Sequence, residues 1–291
     1  VLYPVDRSGV LPSPEHPIRP RPRLTWRKAR RQLGEAGIGG LLWACAASSI
    51  LITFGIAATL IVESIPFFQH VSLVEFFTAT MWTPLFAEPR YGILALVSGT
   101  MMTSLVALAV AIPLGTISAI YLSEFAPFWL RELLKPALEL LSAVPTVVYG
   151  YFALLVMTPV LQRVFPTLPG FSILSAGLVM GVMIIPYVSS LSEDALRAVP
   201  NILREGSHAL GASRLGTALR VVFPAAISGI AASYVLAVSR AVGETMIVAI
   251  AAGLQPRFTL DVFEGAATIT AYIVQVSLGD LPHDGVGYQS I

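Results

Sequence analysis

The chain has 291 residues, of which 55% are hydrophobic and only 12% charged, and its mean hydropathy is +0.77. Soluble domains carry about 25% charged residues, and one soluble domain of this length could not bury so much apolar surface. This composition and a net charge of only +1 exclude an ordinary soluble enzyme, a disordered chain and a nucleic-acid-binding domain, and they favour an integral membrane protein.

Residues 1–36 are predicted to form a cytosolic tail without a stable helix. Prolines stand at positions 4, 12, 14, 17, 20 and 22, and a basic run extends from Arg19 to Arg31. Such a run suits either a nucleic-acid-binding arm or a solvated tail that anionic lipid holds at the membrane. The apolar segment that follows favours the tail, and membrane lipid rather than nucleic acid as its partner.

Five apolar segments are long enough to cross a bilayer, which takes about 20 residues per helix. They are residues 37–62, 93–121, 136–161, 171–190 and 222–253. Prolines 113, 145 and 186 interrupt three of them. We expect kinks rather than helix ends there, because neighbouring helices can satisfy the freed carbonyl groups. The predicted fold class is an all-α integral membrane protein, a polytopic helical bundle spanning residues 37–291.

The distribution of lysine and arginine orients the predicted helices. With the N-terminus in the cytosol, 14 of the 18 basic residues lie in the tail and in the two cytosolic connections. Only Arg90, Arg163 and Arg257 lie outside, and Arg240 lies within a predicted span. Because cytosolic segments carry an excess of Lys and Arg, we expect a multi-pass protein with a cytosolic N-terminus.

The five spans leave residues 254–291 on the outer side. The moderately apolar stretch 266–278 within this segment is too short to cross a bilayer. The chain begins with Val and stops at Ile291 without a polar tail. From this we expect a sixth apolar segment of about 20 residues to follow Ile291.

The cytosolic connection of residues 191–221 predicts a short projecting helix. Asn201, which follows Pro200, is expected to cap a helix that runs to about Leu210, and Gly211 suits the left-handed position that ends it. A rigid helix at this place can pass a push from a soluble partner into the spans. A plain connector between two spans is the alternative interpretation.

The spacing in this connection resembles the cytosolic signature of ABC importer permeases: Glu-Ala-Ala, three residues, Gly, nine residues, Ile, one residue, Leu-Pro. The chain has Glu205-Gly206-Ser207, Gly211, Val221 and Phe223-Pro224 in the same register. Gly206 in place of Ala weakens the helix by up to about 1 kcal/mol. The resemblance implies a bundle of the type I importer kind. It also implies docking of a nucleotide-binding subunit through Glu205, Gly206, Ser207, Gly211 and Pro224.

Further segments resemble the permease subunits of phosphate-specific ABC transporters, over roughly residues 92–253. The matching segments are Gly99-Thr100 through Ser104, Tyr121-Leu122-Ser123-Glu124, Val144-Pro145-Thr146-Val147-Val148-Tyr149-Gly150, Ile185-Pro186-Tyr187 and Arg240-Ala241-Val242-Gly243-Glu244-Thr245-Met246. Met246 after Gly-Glu-Thr is similar to the C-type (PstC-like) subunit, whereas the A-type continues with Ala-Pro. The resemblance implies three partners in the cytoplasmic membrane system: an A-type permease, cytosolic ATP-binding subunits and an extracytoplasmic phosphate-binding protein.

An ATP site is not expected on this chain. Its two lysines, Lys28 and Lys135, do not follow glycine in the Gly-x-x-x-x-Gly-Lys-Ser/Thr spacing that cradles phosphates. The four histidines fit no metal-ligand spacing. We therefore expect a transport subunit that is not an enzyme, binds no cofactor or metal directly, and depends on ATP used by a partner subunit.

Arg240 and Glu244 are the charged residues of the fifth segment. They are four residues apart and would share one face of a helix. A central charge costs about 2.5–3.5 kcal/mol on insertion scales, so both must face the bundle interior or water. A structural ion pair and a cationic station for an anion both fit, because a guanidinium binds phosphate through two hydrogen bonds. The resemblance implies the second role, with Thr245 beside the pair.

Small polar side chains of the second segment, including Thr100 and Ser104, suit either a polar seam of the substrate path or close helix packing. Together these features predict a permease subunit that translocates inorganic phosphate and exposes Arg240 alternately to each side. Two alternatives remain. One is a permease for another oxyanion, such as molybdate or sulfate, and the other is a non-transporting scaffold or sensor that docks an ATPase.

Overall fold

The computed structural model describes residues 26–84, 86, 88–280 and 286–290, and most of the predicted tail, residues 1–25, lies outside them. The described part is helical; in place of strands it has one isolated antiparallel bridge between Trp82 and Tyr91. The chain divides into two compact units, Val1–Val62 and Glu63–Ile291.

Fourteen α-helices follow one another in the described residues. They are α1 (Trp26–His70), α2 (Leu73–Thr78), α3 (Leu94–Ile120), α4 (Phe128–Ala143), α5 (Thr146–Phe152), α6 (Thr158–Val164), α7 (Ile173–Arg197), α8 (Asn201–Ala209), α9 (Arg214–Thr217), α10 (Phe223–Ala225), α11 (Ile227–Val242), α12 (Met246–Ala251), α13 (Ile269–Gln275) and α14 (Val286–Gln289). Wider π-helical turns follow α3 (Tyr121–Phe125) and α13 (Val276–Asp280), join α5 to α6 (Ala153–Met157), and join α9 to α10 (Ala218–Val222).

Four of these segments are long and apolar enough to cross a membrane. They are Glu35–His70, Leu94–Phe125, Thr146–Val164 and Ile173–Arg197. The run from Arg214 to Ala225 and the helix α11 together make a fifth, bent by 73°. The apolar helix Ile269–Gly279 is shorter, as predicted for this stretch. The predicted polytopic helical fold is confirmed.

The helix α1 begins at Trp26, inside the stretch predicted to lack a stable helix. The last proline of that stretch is Pro22, and no further proline occurs before Pro66, so nothing interrupts the helical hydrogen bonds between them. Within residues 35–62 of the first unit the apolar side chains other than Ala47 are exposed, Leu41 and Phe54 among them. Such a surface suits lipid acyl chains.

The third predicted span, residues 136–161, was wrong as a single helix. The structure has α4 there and then a helical run of α5 and α6 joined by a π-helical turn, and Val144 and Pro145 separate α4 from α5. Val144 is extended (φ −64°, ψ 131°), because a residue before proline avoids the helical region, and Pro145 has no N–H group to continue the helix. Pro145 therefore marks a helix end, whereas Pro113 and Pro186 lie inside α3 and α7 as predicted.

Small residues bring α3 and α7 together at the centre of the second unit. Gly177 and Gly181 lie one turn apart on α7, and a Cβ atom on Gly181 would lie only 2.8 Å from the carbonyl oxygen of Ala107. On the α3 side, a Cβ atom on Gly115 would lie 2.6 Å from Cβ of Val188. Membrane helices pack in this way because small side chains let their backbones approach closely.

The fifth predicted span, residues 222–253, was wrong as one continuous helix. The chain bends by 73° between α10 and α11. It leaves the helical path again between α11 and α12, over residues 243–245. This second break lies inside the segment that carries Arg240 and Glu244, and it determines where the two side chains point.

Candidate functional site

Hydrogen bonds to both the side chain and the main chain of Glu244 stabilise the break between α11 and α12. The buried Oε1 atom of Glu244 accepts hydrogen bonds from the N–H groups of Met246 (3.1 Å) and Ile247 (3.4 Å), so it caps the first turn of α12. The Thr270 hydroxyl donates to the main-chain carbonyl of Glu244 at 2.7 Å. Glu244 is thus a structural cap as well as a charge.

Arg240 lies near the end of α11 and packs against α7. Its guanidinium carbon is 5.9 Å from the ring centroid of Tyr187, within the range of a cation–π contact. Its Nη2 atom lies 4.0 Å from Sδ of Met183 and 3.7 Å from Oε2 of Glu244. Among the described residues, the buried Nε atom has no hydrogen-bond partner. The guanidinium therefore keeps at least one free donor.

The pair lies near the mid-length of the bundle. Met183 is the eleventh of the 25 residues of α7, so it lies about 15 Å from the first residue of that helix at 1.5 Å per residue. The predicted shared helix face was wrong, since α11 ends before Glu244, but the break still brings the two charges together. The ring of Tyr187, which belongs to one of the segments that carry the family resemblance, lies beneath the guanidinium.

The other predicted path residues are more dispersed. Thr100 donates to the Leu96 carbonyl (2.9 Å) and accepts from the N–H of Ile269 (3.1 Å), so it fastens the start of α13 to α3. The Ser104 hydroxyl is buried without a hydrogen-bond partner among the described residues. Thr245 is partly buried and donates to the Gly243 carbonyl. Neither Thr100 nor Ser104 is hydrogen-bonded to the charged pair.

The predicted short helix in the connection is α8. It ends in a left-handed glycine, Gly211 (φ +84°). The Gly211 N–H donates to the His208 carbonyl (2.9 Å) and the Ala212 N–H to the Ser207 carbonyl (3.1 Å), the Schellman pattern. The prediction for this helix end is confirmed.

The predicted N-terminal cap of α8 was wrong. Asn201 is the first residue inside the helix and Pro200 occupies the cap position, without a side-chain hydrogen bond to the helix. The Asn201 side-chain oxygen instead accepts a hydrogen bond from Arg204 at 3.3 Å. The competing arginine therefore takes the oxygen that the helix N-terminus would use.

An apolar groove of about 760 Å³ lies beside α8 and is lined by part of the signature, Gly206, Ser207 and Val221. Its lining includes Ile202 and Leu210, whose exposed fractions are 74% and 91%. The lining residues Gly206 and Ser207 belong to the predicted docking set. The other members are Glu205, which is exposed, Gly211, which ends α8, and Pro224, which lies in α10. Exposed apolar surface of this extent marks an interaction site.

Arg204 connects α8 to two of the spans. Its Nη2 atom lies 2.9 Å from Oε1 of Glu124, in the π-helical turn after α3. The same guanidinium donates to the carbonyls of Val199 (2.6 Å) and Leu196 (2.8 Å) at the end of α7. Sequence reasoning missed this link, because Glu124 and Arg204 are 80 residues apart and no local pattern pairs them.

A second charged cluster joins α4 to α7. The fully buried carboxylate of Glu193 lies 2.9 Å from Nζ of Lys135, 3.3 Å from Nη1 of Arg197 and 3.8 Å from Nε of Arg131. Lys135 also contacts Asp194 at 2.8 Å. The hydrogen bond to Asp194 is the main cause that raises the pKa of Lys135, and burial acts in the opposite direction. Sequence reasoning counted Arg131, Lys135 and Arg197 as cytosolic basic residues and did not single out Glu193 or Asp194.

Residues 111–281 match the family model described as binding-protein-dependent transport system inner membrane component. This match covers more than half of the chain. The chain belongs to this permease family. Arg240, Glu244 and α8 all lie within the matched region, whereas Thr100 and Ser104 precede it.

The chain is similar in sequence to several permease proteins. The chain is 35% identical over 266 residues to the probable ABC transporter permease protein YqgH of Bacillus subtilis (91% of this chain, 86% of that one). It is 35% identical over 219 residues to the phosphate transport system permease protein PstC of Xylella fastidiosa (69% and 67%). To PstC of Haemophilus influenzae it is 30% identical over 272 residues (84% and 84%).

One solved structure of the MetNI methionine ABC transporter, in an inward-facing conformation, aligns with 68% of this chain and 84% of its own, at 18% identity and a TM-score of 0.49. Membership of the permease family implies an ATPase and a substrate-binding protein as partners. The chain is a membrane-embedded, multi-pass transport subunit.

Proposed function

We propose that this chain is the C-type permease subunit of an ATP-driven importer of inorganic phosphate in the cytoplasmic membrane, with its N-terminus in the cytosol. The similarity to several proteins named PstC supports the substrate, and the excess of basic residues in the assigned cytosolic segments supports the orientation. An A-type permease forms the other half of the path. ATP is used by a partner subunit, and this chain binds no cofactor.

The observation that carries the proposal is the guanidinium of Arg240 at mid-bundle, with a buried donor that has no partner among the described residues. Its distance of 3.7 Å from Glu244 is longer than a strong charge-assisted hydrogen bond, which is about 2.7–2.9 Å. A phosphate group can therefore take up guanidinium donors that Glu244 leaves free. The nearby carboxylate repels the anion and limits its affinity, and conduction requires such weak binding.

The groove beside α8 is the proposed dock for the ATP-binding subunit. Movement of a docked subunit would reach α3 and α7 through Arg204, which contacts both. The exposed Glu205 makes no ion pair among the described residues, so its carboxylate is available to a partner. The signature residues Gly206, Ser207, Gly211 and Pro224 would shape this surface, while Thr100, Ser104 and Thr245 would contribute to the path.

Reconstitution with the partner subunits in liposomes tests the proposal. We expect ATP-driven accumulation of labelled phosphate, and we expect Arg240→Gln to abolish it while the complex still assembles. Arg163→Gln is the matched control, because Arg163 is exposed at the end of α6 and away from the path. Normal uptake by the Arg240→Gln variant would refute the role of Arg240.

The same vesicles separate the alternatives. Accumulation of sulfate or molybdate in preference to phosphate would make the chain a permease for another oxyanion. An intact complex that accumulates none of these anions would favour a scaffold or sensor. Glu205→Ala should weaken recovery of the ATP-binding subunit with the permease in either case, so a loss of docking can be told apart from a loss of transport.

A further inference from the structure

A second cavity, of about 400 Å³, lies beside the connection between α7 and α8 and has no part in the proposed path. Arginines from three successive helices line it: Arg197 of α7, Arg204 of α8 and Arg214 of α9. His208 and Asn201 also border the cavity, and Glu124 supplies its one carboxylate. With His208 neutral, these side chains carry a net charge of +2.

The carboxylate of this cavity is already occupied. Glu124 accepts three contacts from Arg204, at 2.9, 3.3 and 3.3 Å, and a fourth from the Ser123 hydroxyl at 3.1 Å. Arg204 also donates hydrogen bonds to main-chain carbonyls at the end of α7. These two residues therefore neutralise each other, and the excess charge belongs to Arg197 and Arg214.

Arg197 and Arg214 keep donors free toward the cavity. Arg197 is half exposed, and only its Nη1 atom contacts Glu193, at 3.3 Å. Arg214 is exposed and makes no ion pair or side-chain hydrogen bond among the described residues. The nine-residue helix α8 begins at Asn201 without a side-chain cap, and the positive end of its dipole adds to the potential of the cavity.

We propose that this cavity binds a phosphate-class oxyanion, either inorganic phosphate or the phosphate of an anionic lipid headgroup. Two guanidinium groups can each donate two parallel hydrogen bonds to such a group. An anion held by Arg197 and Arg214 would tie α7 to α9 and so restrain α8 between them. The site is independent of Arg240; only its location on the cytosolic side rests on the proposed orientation.

The test uses the assembled complex in nanodiscs of neutral phosphatidylcholine, titrated with inorganic phosphate and followed by its unfolding temperature. Every protein carries Arg240→Gln, so the outcome does not depend on anion binding in the path. We expect phosphate to raise the unfolding temperature. We also expect the affinity for phosphate to fall about tenfold or more in Arg214→Gln, since the loss of one charge-assisted hydrogen bond lowers an affinity by at least about tenfold. Arg163→Gln is the matched control, because Arg163 is exposed and does not line the cavity.

The Arg214 side chain makes no hydrogen bond or ion pair among the described residues, so we expect its substitution to leave the fold intact. Arg214→Lys, which keeps the charge but loses the paired donors, should recover part of the affinity. The source of the anion is tested in nanodiscs that contain phosphatidylglycerol. If the lipid headgroup is the occupant, native mass spectrometry finds this lipid retained by the parent complex and lost from Arg214→Gln, and added phosphate no longer raises the unfolding temperature. Equal affinities of the Arg214→Gln and Arg163→Gln complexes for both phosphate and the lipid would overturn the proposal.

Discussion

The guanidinium of Arg204, on α8, lies 2.9 Å from the carboxylate of Glu124 at the end of the second span. Because the same guanidinium also donates to two carbonyls at the end of α7, α8 is attached to α3 and α7 at once. A displacement of α8 is therefore shared by the two most closely packed helices of the bundle.

Replacement of Glu124 by glutamine tests this attachment. The neutral amide loses the ion pair, which is mostly buried, at a cost of about 1–2 kcal/mol. We expect ATP hydrolysis to continue while the phosphate transported per ATP falls about fivefold, as measured in proteoliposomes. Glu132→Gln is the control, since Glu132 is exposed on α4 and makes no ion pair among the described residues. An unchanged transport-to-hydrolysis ratio in Glu124→Gln would mean that coupling takes another route.

The two roles of Glu244 are separable by substitution. Glutamine keeps an oxygen that can accept from the N–H groups of Met246 and Ile247, so the cap remains, but it removes the charge that opposes anion binding. We expect Glu244→Gln to lower both the KM for phosphate and the maximal rate. Glu244→Ala loses the cap as well and should destabilise the complex by about 1 kcal/mol. If the two variants behave alike in both uptake and thermal stability, the cap has no separate role, and wild-type uptake by Glu244→Gln would mean that the charge has none.

The buried carboxylate of Glu193 should dominate the stability of the junction between α4 and α7. Glu193→Gln leaves Lys135, Arg131 and Arg197 without their shared counter-charge, and because these cations are partly exposed we expect a loss of about 3 kcal/mol, the low end for a broken buried pair. Asp194→Asn changes an exposed neighbour and should cost less than about 1 kcal/mol. Thermal unfolding of the purified complex measures both, and equal losses would contradict the central position of Glu193.

The close crossing of α3 and α7 depends on Gly181. A methyl group there would lie 2.8 Å from the Ala107 carbonyl oxygen, and overpacking of this kind costs about 1–3 kcal/mol. We expect Gly181→Ala to lower the unfolding temperature and the uptake rate together. Gly170→Ala serves as the control, since a Cβ atom there meets nothing within 4 Å. An unchanged unfolding temperature and uptake rate in Gly181→Ala would show that α3 and α7 can move apart to accommodate the methyl group.

Local chemistry made part of this molecule predictable from its sequence. The end of α8 depends on one glycine and on hydrogen bonds within five residues, so Gly211 alone indicated it. The apolar spans are likewise properties of short segments. The proximity of Arg240 and Glu244 was also predictable, because residues four apart lie close on a helix and remain close at its end.

Contacts between distant segments decided what sequence reasoning missed. The break after α11 depends on Thr270, which bonds the Glu244 carbonyl from 26 residues away. The clusters around Glu124 and Glu193 join residues about 60 to 80 positions apart. Asn201 had the right residue type for a cap, but Arg204 took its side-chain oxygen. Residue type and spacing do not specify such competition.

Pro186 gives α7 one point of low bending stiffness. A proline inside a helix removes one backbone hydrogen bond and is a common place for a bend, and the next residue, Tyr187, is the one whose ring faces Arg240. If a force acts on the Arg197 end of α7, the helix should therefore bend mainly at Pro186, next to the contact between Tyr187 and the Arg240 guanidinium. The mechanical weak point of the helix coincides with the face that contacts Arg240.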